Sequence, residues 1–338
     1  MERIFIVTGG SGFLGGHIVR KLSKQGNKIR ALLLEGENLN ANISSDLIEI
    51  VYGDITDRES LVPLFEGLEE KEVVVIHSAG IVDIESTVSP LTYKVNVVGT
   101  RNMVDLSLEV NVHRFLYISS VHALPEPEIR STIVETKDFS PEDVVGGYAK
   151  TKAEASAYVM KAYREGGLNS MIFMPSGLVG PGYVGQNSFA DAIKWLLKGR
   201  YKLCPDGGYD FVDVRDVAKA VVDSVDKGSP GETYILSGGH YELSDIFKII
   251  SKLTKRNRKC IVIANTIVRL IAPVIEKTYK IMGKKPFVTE YSARTINVND
   301  NFSHEKASRE LGFWPRDIVK TLRDALIFMK KKERPNQI

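Results

Sequence analysis

Cysteine is nearly missing from this chain of 338 residues: Cys204 and Cys260 stand alone. Neither belongs to a CxxC pair or a histidine-rich cluster, so neither a metal site nor a disulfide framework is expected. A reducing, cytoplasmic setting fits best, and a bond between the two thiols is not readable from spacing. No apolar run reaches the ~20 residues that a bilayer-spanning helix needs. The first eight residues are expected to form a strand rather than a signal peptide, because a glycine-rich turn follows the opening apolar run at once. Internal repeats, low-complexity stretches and base-stacking motifs are also missing, which argues against nucleic acid as a partner.

What is present is ordinary in amount and uneven in placement. Hydrophobic residues make up 43% and charged residues 26%, as in a globular protein with one large core or two closely joined domains. The net charge is only +3, yet residues 248–285 hold eleven Lys/Arg against the single acid Glu276. That segment is +10 and leaves the remainder at −7. It reads either as a solvated helical surface or as an electrostatic surface for an anionic substrate or lipid headgroups.

Short apolar runs alternate with helical periodicity through the first half. Strands are expected at 3–7, 29–34, 48–52, 73–76, 114–118 and 170–174. Helices are expected at 13–25, 57–66 with Asp57 as N-cap, 95–108, and 148–165 ended by Gly166-Gly167. The strands are continuously apolar, which implies burial on both faces of a parallel sheet. The expected fold is an α/β, doubly wound, Rossmann-like parallel sheet. A nucleotide-binding domain would span 1–175. Residues 176–330 would form a smaller C-terminal α/β substrate-binding subdomain, partly interleaved with the sheet. Gly/Pro punctuation at 177–187 and 205–208 predicts loops over a site, and 330–335 a frayed end.

Ligands of such sheets bind beyond the strand carboxyl ends. There Gly9, Gly12 and Gly15 follow the first strand and open the first helix, the spacing that lets backbone approach a pyrophosphate. Glu35, after the second strand, suits an adenosine ribose and favours NAD over NADP, although a plain loop glutamate reads equally well. Arg30 reaches a 2′-phosphate only in another register. Asp54 suits an adenine-edge contact or a turn start. Tyr148 and Lys152 share one helical face, so the ammonium is expected to lower the phenol pKa from ~10 toward neutrality.

These pieces, taken in order, resemble the extended short-chain dehydrogenase/reductase superfamily (NAD-dependent epimerase/dehydratase-like) over nearly the whole chain. The matching stretches are Thr8–Gly15, Asp54, His77–Gly80, Asn96–Thr100, Ser119-Ser120, Tyr148–Lys152, Pro175–Gly177 and Phe211–Ala218. The resemblance implies Tyr148 as general acid/base, Lys152 as holder of the nicotinamide ribose, and Ser120, with Ser119 as alternative, on the reacting oxygen. It implies a cofactor, NAD or NADP, held by Gly9, Gly12, Phe13, Leu14, Gly15, Glu35, Asp54, Ile55, Ala79, Gly80, Tyr148, Lys152, Pro175 and Ser176. Asn96 would be structural, and His122 either substrate-facing or packed.

Two branches of the superfamily compete. Nucleotide-sugar epimerases and dehydratases carry a Tyr-Gly pair after the serines and an Arg before an Asp-Phe pair. This chain has His122-Ala123 and Tyr209-Asp210-Phe211 instead. Residues 77–82, 284–292 and 301–313 look like dihydroflavonol reductases and 3β-hydroxysteroid dehydrogenases. The expected activity is interconversion of a secondary alcohol and ketone on a bulky apolar, hydroxysteroid-like or flavonoid-like substrate. The alternatives are a nucleotide-sugar epimerase/dehydratase with tightly held NAD and a non-catalytic dinucleotide sensor. Ile267, Leu270, Ile271, Val274 and Ile275 share one face of a helix over 264–282, with Pro273 a kink candidate. That face packs on a core, covers an apolar substrate, or touches a membrane surface through 264–285. A homodimer is the family expectation.

Overall fold

The computed structural model describes residues 1–338 except 40–44, 84–86, 127–130, 183–192, 194–202, 257–259, 283–285, 287, 297, 299 and 333–338. Its centre is a seven-stranded sheet, all parallel, in the order β10-β6-β5-β4-β1-β2-β3. Six strands lie where the apolar runs put them: β1 (Glu2–Thr8), β2 (Lys28–Leu33), β3 (Ile48–Tyr52), β4 (Lys71–His77), β5 (Arg114–Ile118) and β6 (Ser170–Pro175). This is the doubly wound, Rossmann-like sheet that the alternation predicts.

Successive side chains of a strand point to opposite faces, so each strand feeds two cores. Ile6, Val75, Phe115, Tyr117 and Ile172 face helices α3 (Gly99–Glu109) and α4 (Gly147–Gly166). Phe5, Val7, Val74, Ile76, Leu116 and Phe173 face α1 (Phe13–Lys24) and α5 (Val214–Asp223). Helix α4 stops at Gly167, whose φ of 72° is one a side chain rarely adopts.

Some local readings give way to packing. Residues 59–64 form 3₁₀ turns around Pro63 rather than the helix expected over 57–66, and the Asp57 carboxylate accepts the Glu59 N–H at 3.2 Å. The helix expected at 95–108 starts earlier, as the short α2 (Pro90–Tyr93), and passes through a π-helical segment, Lys94–Val98, before α3. Residues 177–179 are not loop but β7 (Gly177–Val179), beside β9 (Gly208–Asp213), which also pairs with β11 (His240–Glu242). The rest of the expected 177–187 loop, from residue 183, lies outside the described residues. Strand β8 (Leu203–Pro205) runs parallel to β12 (Ile261–Ile263), which brings the free thiols Cys204 and Cys260 together.

The seventh strand of the main sheet, β10 (Thr233–Leu236), comes from the second half of the chain. Helices α6 (Leu243–Leu253), α7 (Asn265–Ile281), α8 (Glu290–Thr295) and α9 (Glu305–Leu311) follow. Helix α10 (Ile318–Lys332) includes Lys330–Lys332, part of the expected frayed end; residues 333–335 lie outside the description. Helix α7 continues through Pro273. Among the described residues no helix is long and apolar enough to cross a membrane.

Candidate active site

The glycine loop is tight because its members nearly touch. Gly9 has φ 71°, and the Gly12 N–H donates to its carbonyl at 3.0 Å. A Cβ on Gly15 would stand 2.0 Å from Gly9 O, and one on Gly9 2.8 Å from Ala79 N. Ser78 Oγ donates to Thr8 O at 2.6 Å and Ala79 N to Thr8 Oγ1 at 3.1 Å, which fixes the neighbouring strand end. Phe13 and Leu14 begin α1, whose N-cap Gly12 offers no side-chain cap and whose first turn holds no acid. Its N-terminal N–H groups and positive dipole end suit a pyrophosphate, so these residues fit a dinucleotide.

Glu35 is exposed. The acid that reaches the loop is Glu37, which accepts from Ser11 Oγ at 2.8 Å and Leu34 N at 3.2 Å. Gly36, at φ 84°, turns the chain back to put it there, and that turn is the signal a sequence reading can use. Arg30 is occupied by Glu49 and the carbonyls of Leu64 and Glu66. Asp54 is exposed and accepts the Thr56 N–H at 2.8 Å, a turn start, while Ile55 is buried under Gly99.

Tyr148 and Lys152 are both buried, one turn apart on α4. The Ser120 hydroxyl lies near enough to the Tyr148 phenol to favour its ionised form. Ser119 shares its hydroxyl with Ser156 at 2.7 Å, so Ser120 is the serine that faces the phenol. Lys152 Nζ donates to Ile118 O at 2.8 Å and sits 5.0 Å from the centre of the Tyr117 ring. Gly80 leaves it room, since a Cβ there would come within 3.4 Å of Nζ. Asn96 joins that loop to α4: its amide exchanges bonds with Ile81 N and O and donates to Thr151 Oγ1 at 3.1 Å. His77 is buried between the Thr8 and Thr100 hydroxyls, and burial with the Lys152 charge pushes its pKa down to about 3.

The expectation that Lys152 lowers the Tyr148 pKa does not hold in this state. Burial raises the phenol to about 12 against the pull of the Ser120 hydroxyl, and burial lowers Lys152 to about 7. Both charged forms lose their water, and the amine is spent on the Ile118 carbonyl. Pro175 pairs with Leu236 at the end of β6, and Ser176 is buried beside it.

The sequence left His122 undecided, and its partners lie 87 and 169 residues away. Its ring nitrogens meet Tyr209 Oη at 2.5 Å and Tyr291 Oη at 3.0 Å. The imidazole stacks on Tyr209 and stands edge-on to Tyr148, with centroids 5.9 Å apart. Burial pushes its pKa down to about 4, so it is neutral at pH 7. Gly146 and Gly177 make space for this cluster, since a Cβ on either would strike Tyr291 or Tyr209. Asp210 is buried and takes bonds from Ser237 Oγ, Gly238 N and Gly239 N, so it braces the β9–β11 turn. Among the described residues no acid, histidine or cysteine cluster could hold a metal.

Residues 5–237 match the NAD dependent epimerase/dehydratase family. The chain belongs to that family. Within and around it, the chain is 29% identical over 332 residues to sterol demethylase protein B of Methylococcus capsulatus, covering 97% of this chain and 98% of that protein. It is 28% identical over 369 residues to 3beta-hydroxysteroid-dehydrogenase/decarboxylase isoform 1 of Arabidopsis thaliana, covering 99% and 82%. The solved structure of gox2253 superimposes with a TM-score of 0.83 at 28% identity, over 98% of this chain and 99% of that one. The epimerase/dehydratase family is NAD-dependent, and the glycine loop described above lies within the matched residues.

Proposed function

We propose that the chain interconverts a secondary alcohol and a ketone on a bulky, uncharged, ring-type substrate, hydroxysteroid-like or flavonoid-like. The observation that carries this reading is the wall beside Tyr148. His122, neutral between two tyrosine hydroxyls, and the rings of Tyr209 and Tyr291 offer flat contact and no charge. A nucleotide-sugar diphosphate asks for cations at its site. The steroid names of the two relatives support the same choice. NAD is the preferred dinucleotide on this reading, because the Glu37 carboxylate at Ser11 repels a further phosphate and Arg30 is engaged elsewhere.

Bound NAD(H) supplies the hydride acceptor or donor. Tyr148, protonated at neutral pH, passes its proton to the substrate oxygen during reduction and recovers it during oxidation. Ser120, beside that phenol, orients and polarises the oxygen. Lys152, poised near neutrality, favours the phenolate once it forms. The glycine loop and α1 hold the pyrophosphate, and Asn96 keeps the Gly80 loop against α4.

A screen of steroid, flavonoid and nucleotide-sugar substrates with NAD(H) and NADP(H), followed at the nicotinamide absorbance band, tests this. Net turnover of a ring alcohol or ketone with NAD(H) is expected. Conversion of a nucleotide sugar with co-purifying cofactor and no net cofactor turnover would overturn it in favour of epimerase or dehydratase chemistry.

A further inference from the structure

Helix α7 is attached to the protein by its small and polar side, and its large apolar side faces out. The inward residues are Asn265, Val268, Ala272 and Glu276, all buried. Val268 and Ala272 pack with Ala293 of α8, and Asn265 Nδ2 donates to Ala293 O at 2.8 Å. Glu276 accepts the Glu290 N–H at 3.4 Å, where the N-terminus of α8 favours a negative charge. The opposite face carries Ile267, Leu270, Ile271, Val274 and Ile281, which are 51, 78, 45, 66 and 78% exposed. Their spacing keeps them in one stripe. Strand β12, which leads into the helix, exposes Ile261 and Val262 as well. The packing therefore leaves outward the face that an ordinary amphipathic helix buries, and exposed apolar surface on this scale marks a contact.

Charge says which contact. Exposed Arg269 and Lys277 flank the stripe. The segment 248–285 holds eleven cations, and its one acid, Glu276, is turned inward. A second copy docked through this face by two-fold symmetry would bring the exposed Arg269 and Lys277 up against their own twins. A bilayer surface instead supplies an apolar boundary for the stripe and negative headgroups for its flanks. We propose that this face seats α7 at the headgroup–acyl boundary of a membrane containing anionic lipid. The α8 helix beneath carries Tyr291, whose hydroxyl reaches His122 beside Tyr148, so the seated face adjoins the active-site wall. Apolar substrates concentrate at such a boundary. The membrane inference itself does not depend on the substrate reading, because its readout is binding and not turnover.

Co-sedimentation of the full chain tests it, with vesicles of phosphatidylcholine alone or with about one-third phosphatidylglycerol. Binding to the anionic vesicles at low salt, weakened by high salt, is expected. The double substitution Leu270→Glu with Val274→Glu should reduce that binding by about tenfold or more at unchanged melting temperature, since these side chains already face water. A second variant, Arg269→Gln with Lys277→Gln, should lower binding to anionic vesicles and leave the rest of the protein intact. Absence of binding to anionic vesicles at low salt would overturn the proposal. So would a wild-type dimer that the glutamate pair converts to monomer, because the stripe would then be covered by a second copy.

Discussion

A phenol kept from water holds its proton tightly, and Tyr148 is such a phenol. Tyr148→Phe removes the proton and leaves the ring, so turnover should fall by about 10²–10⁴-fold while NAD(H) affinity stays near wild type. Stopped-flow turnover with cofactor titration by fluorescence reads both, and wild-type turnover would sink the assignment. Ser120→Ala should be milder, about 10–10³-fold in kcat, because the serine polarises and does not transfer the proton. His122 gives a separate test through stability. Unfolded, a histidine titrates at 6.5; folded, His122 takes its proton only at about 4. Between those values the unfolded chain binds the extra proton, so stability falls as pH drops from about 6.5 to about 4. His77, pushed down to about 3, adds in the same direction. His122→Asn should therefore show a shallower loss of melting temperature across that window, and an unchanged slope would mean that His122 is not neutral in the folded state. The pairing of Tyr148 with Lys152 was legible because the two sit four apart in one helix. The Tyr209 and Tyr291 partners of His122 were not, since local spacing carries no information about contacts made across the fold.

At the scale of elements, the glycine loop was readable for the same reason that it is intolerant. Strand, turn and helix are contiguous in sequence, and only glycine fits where backbone meets backbone. Gly15→Ala would place a methyl 2.0 Å from Gly9 O, so the strand–helix junction must open. A loss of about 2–4 kcal/mol in urea denaturation is expected, with NAD(H) affinity falling further than the stability change alone explains. Wild-type affinity in a folded Gly15→Ala protein would show that the loop is not the pyrophosphate cradle. Elements without such local punctuation were read less well. Pro63 turned an expected helix into 3₁₀ turns, and the three-residue strands β7, β8, β11 and β12 are too short for periodicity to mark. Helix α7 was found by its period, but the period could not say which face packs: a helix held by Asn265, Val268, Ala272 and Glu276 looks the same in sequence as one held by its leucine and isoleucines.

For the whole molecule, the sequence suggested a nucleotide-binding unit and a substrate-binding unit partly interleaved with its sheet, and the chain returns to that sheet at Thr233–Leu236. Strand β10 pairs with β6, and the segment leading into α10 is clamped to α5. Arg316 meets Asp216 through Nε at 3.0 Å, through Nη2 at 2.5 Å and through its own N–H at 2.8 Å. Asp213 caps α5 and accepts from Thr321 Oγ1 at 2.7 Å, and Arg215 reaches on to Asp324 at 2.7 Å. Three carboxylate–guanidinium contacts thus join α5 and its N-cap, which cover the sheet, to α10 and the segment leading into it, which belong to the third core around Phe211 and Leu322. If those contacts make the two halves one folding unit, separate melting is forbidden: losing α10 uncovers α5, and losing α5 uncovers the sheet. Urea unfolding followed by far-ultraviolet circular dichroism and by intrinsic fluorescence should give one coincident transition. Asp216→Asn removes the nearer counter-charge of the half-exposed Arg316 and leaves it Asp213 at 3.6 Å, so that transition should move down by about 1–3 kcal/mol as a whole. A substitution that instead splits the curve in two, with β10 protected from hydrogen exchange after α10 has melted, would show that the halves are joined only by the covalent chain.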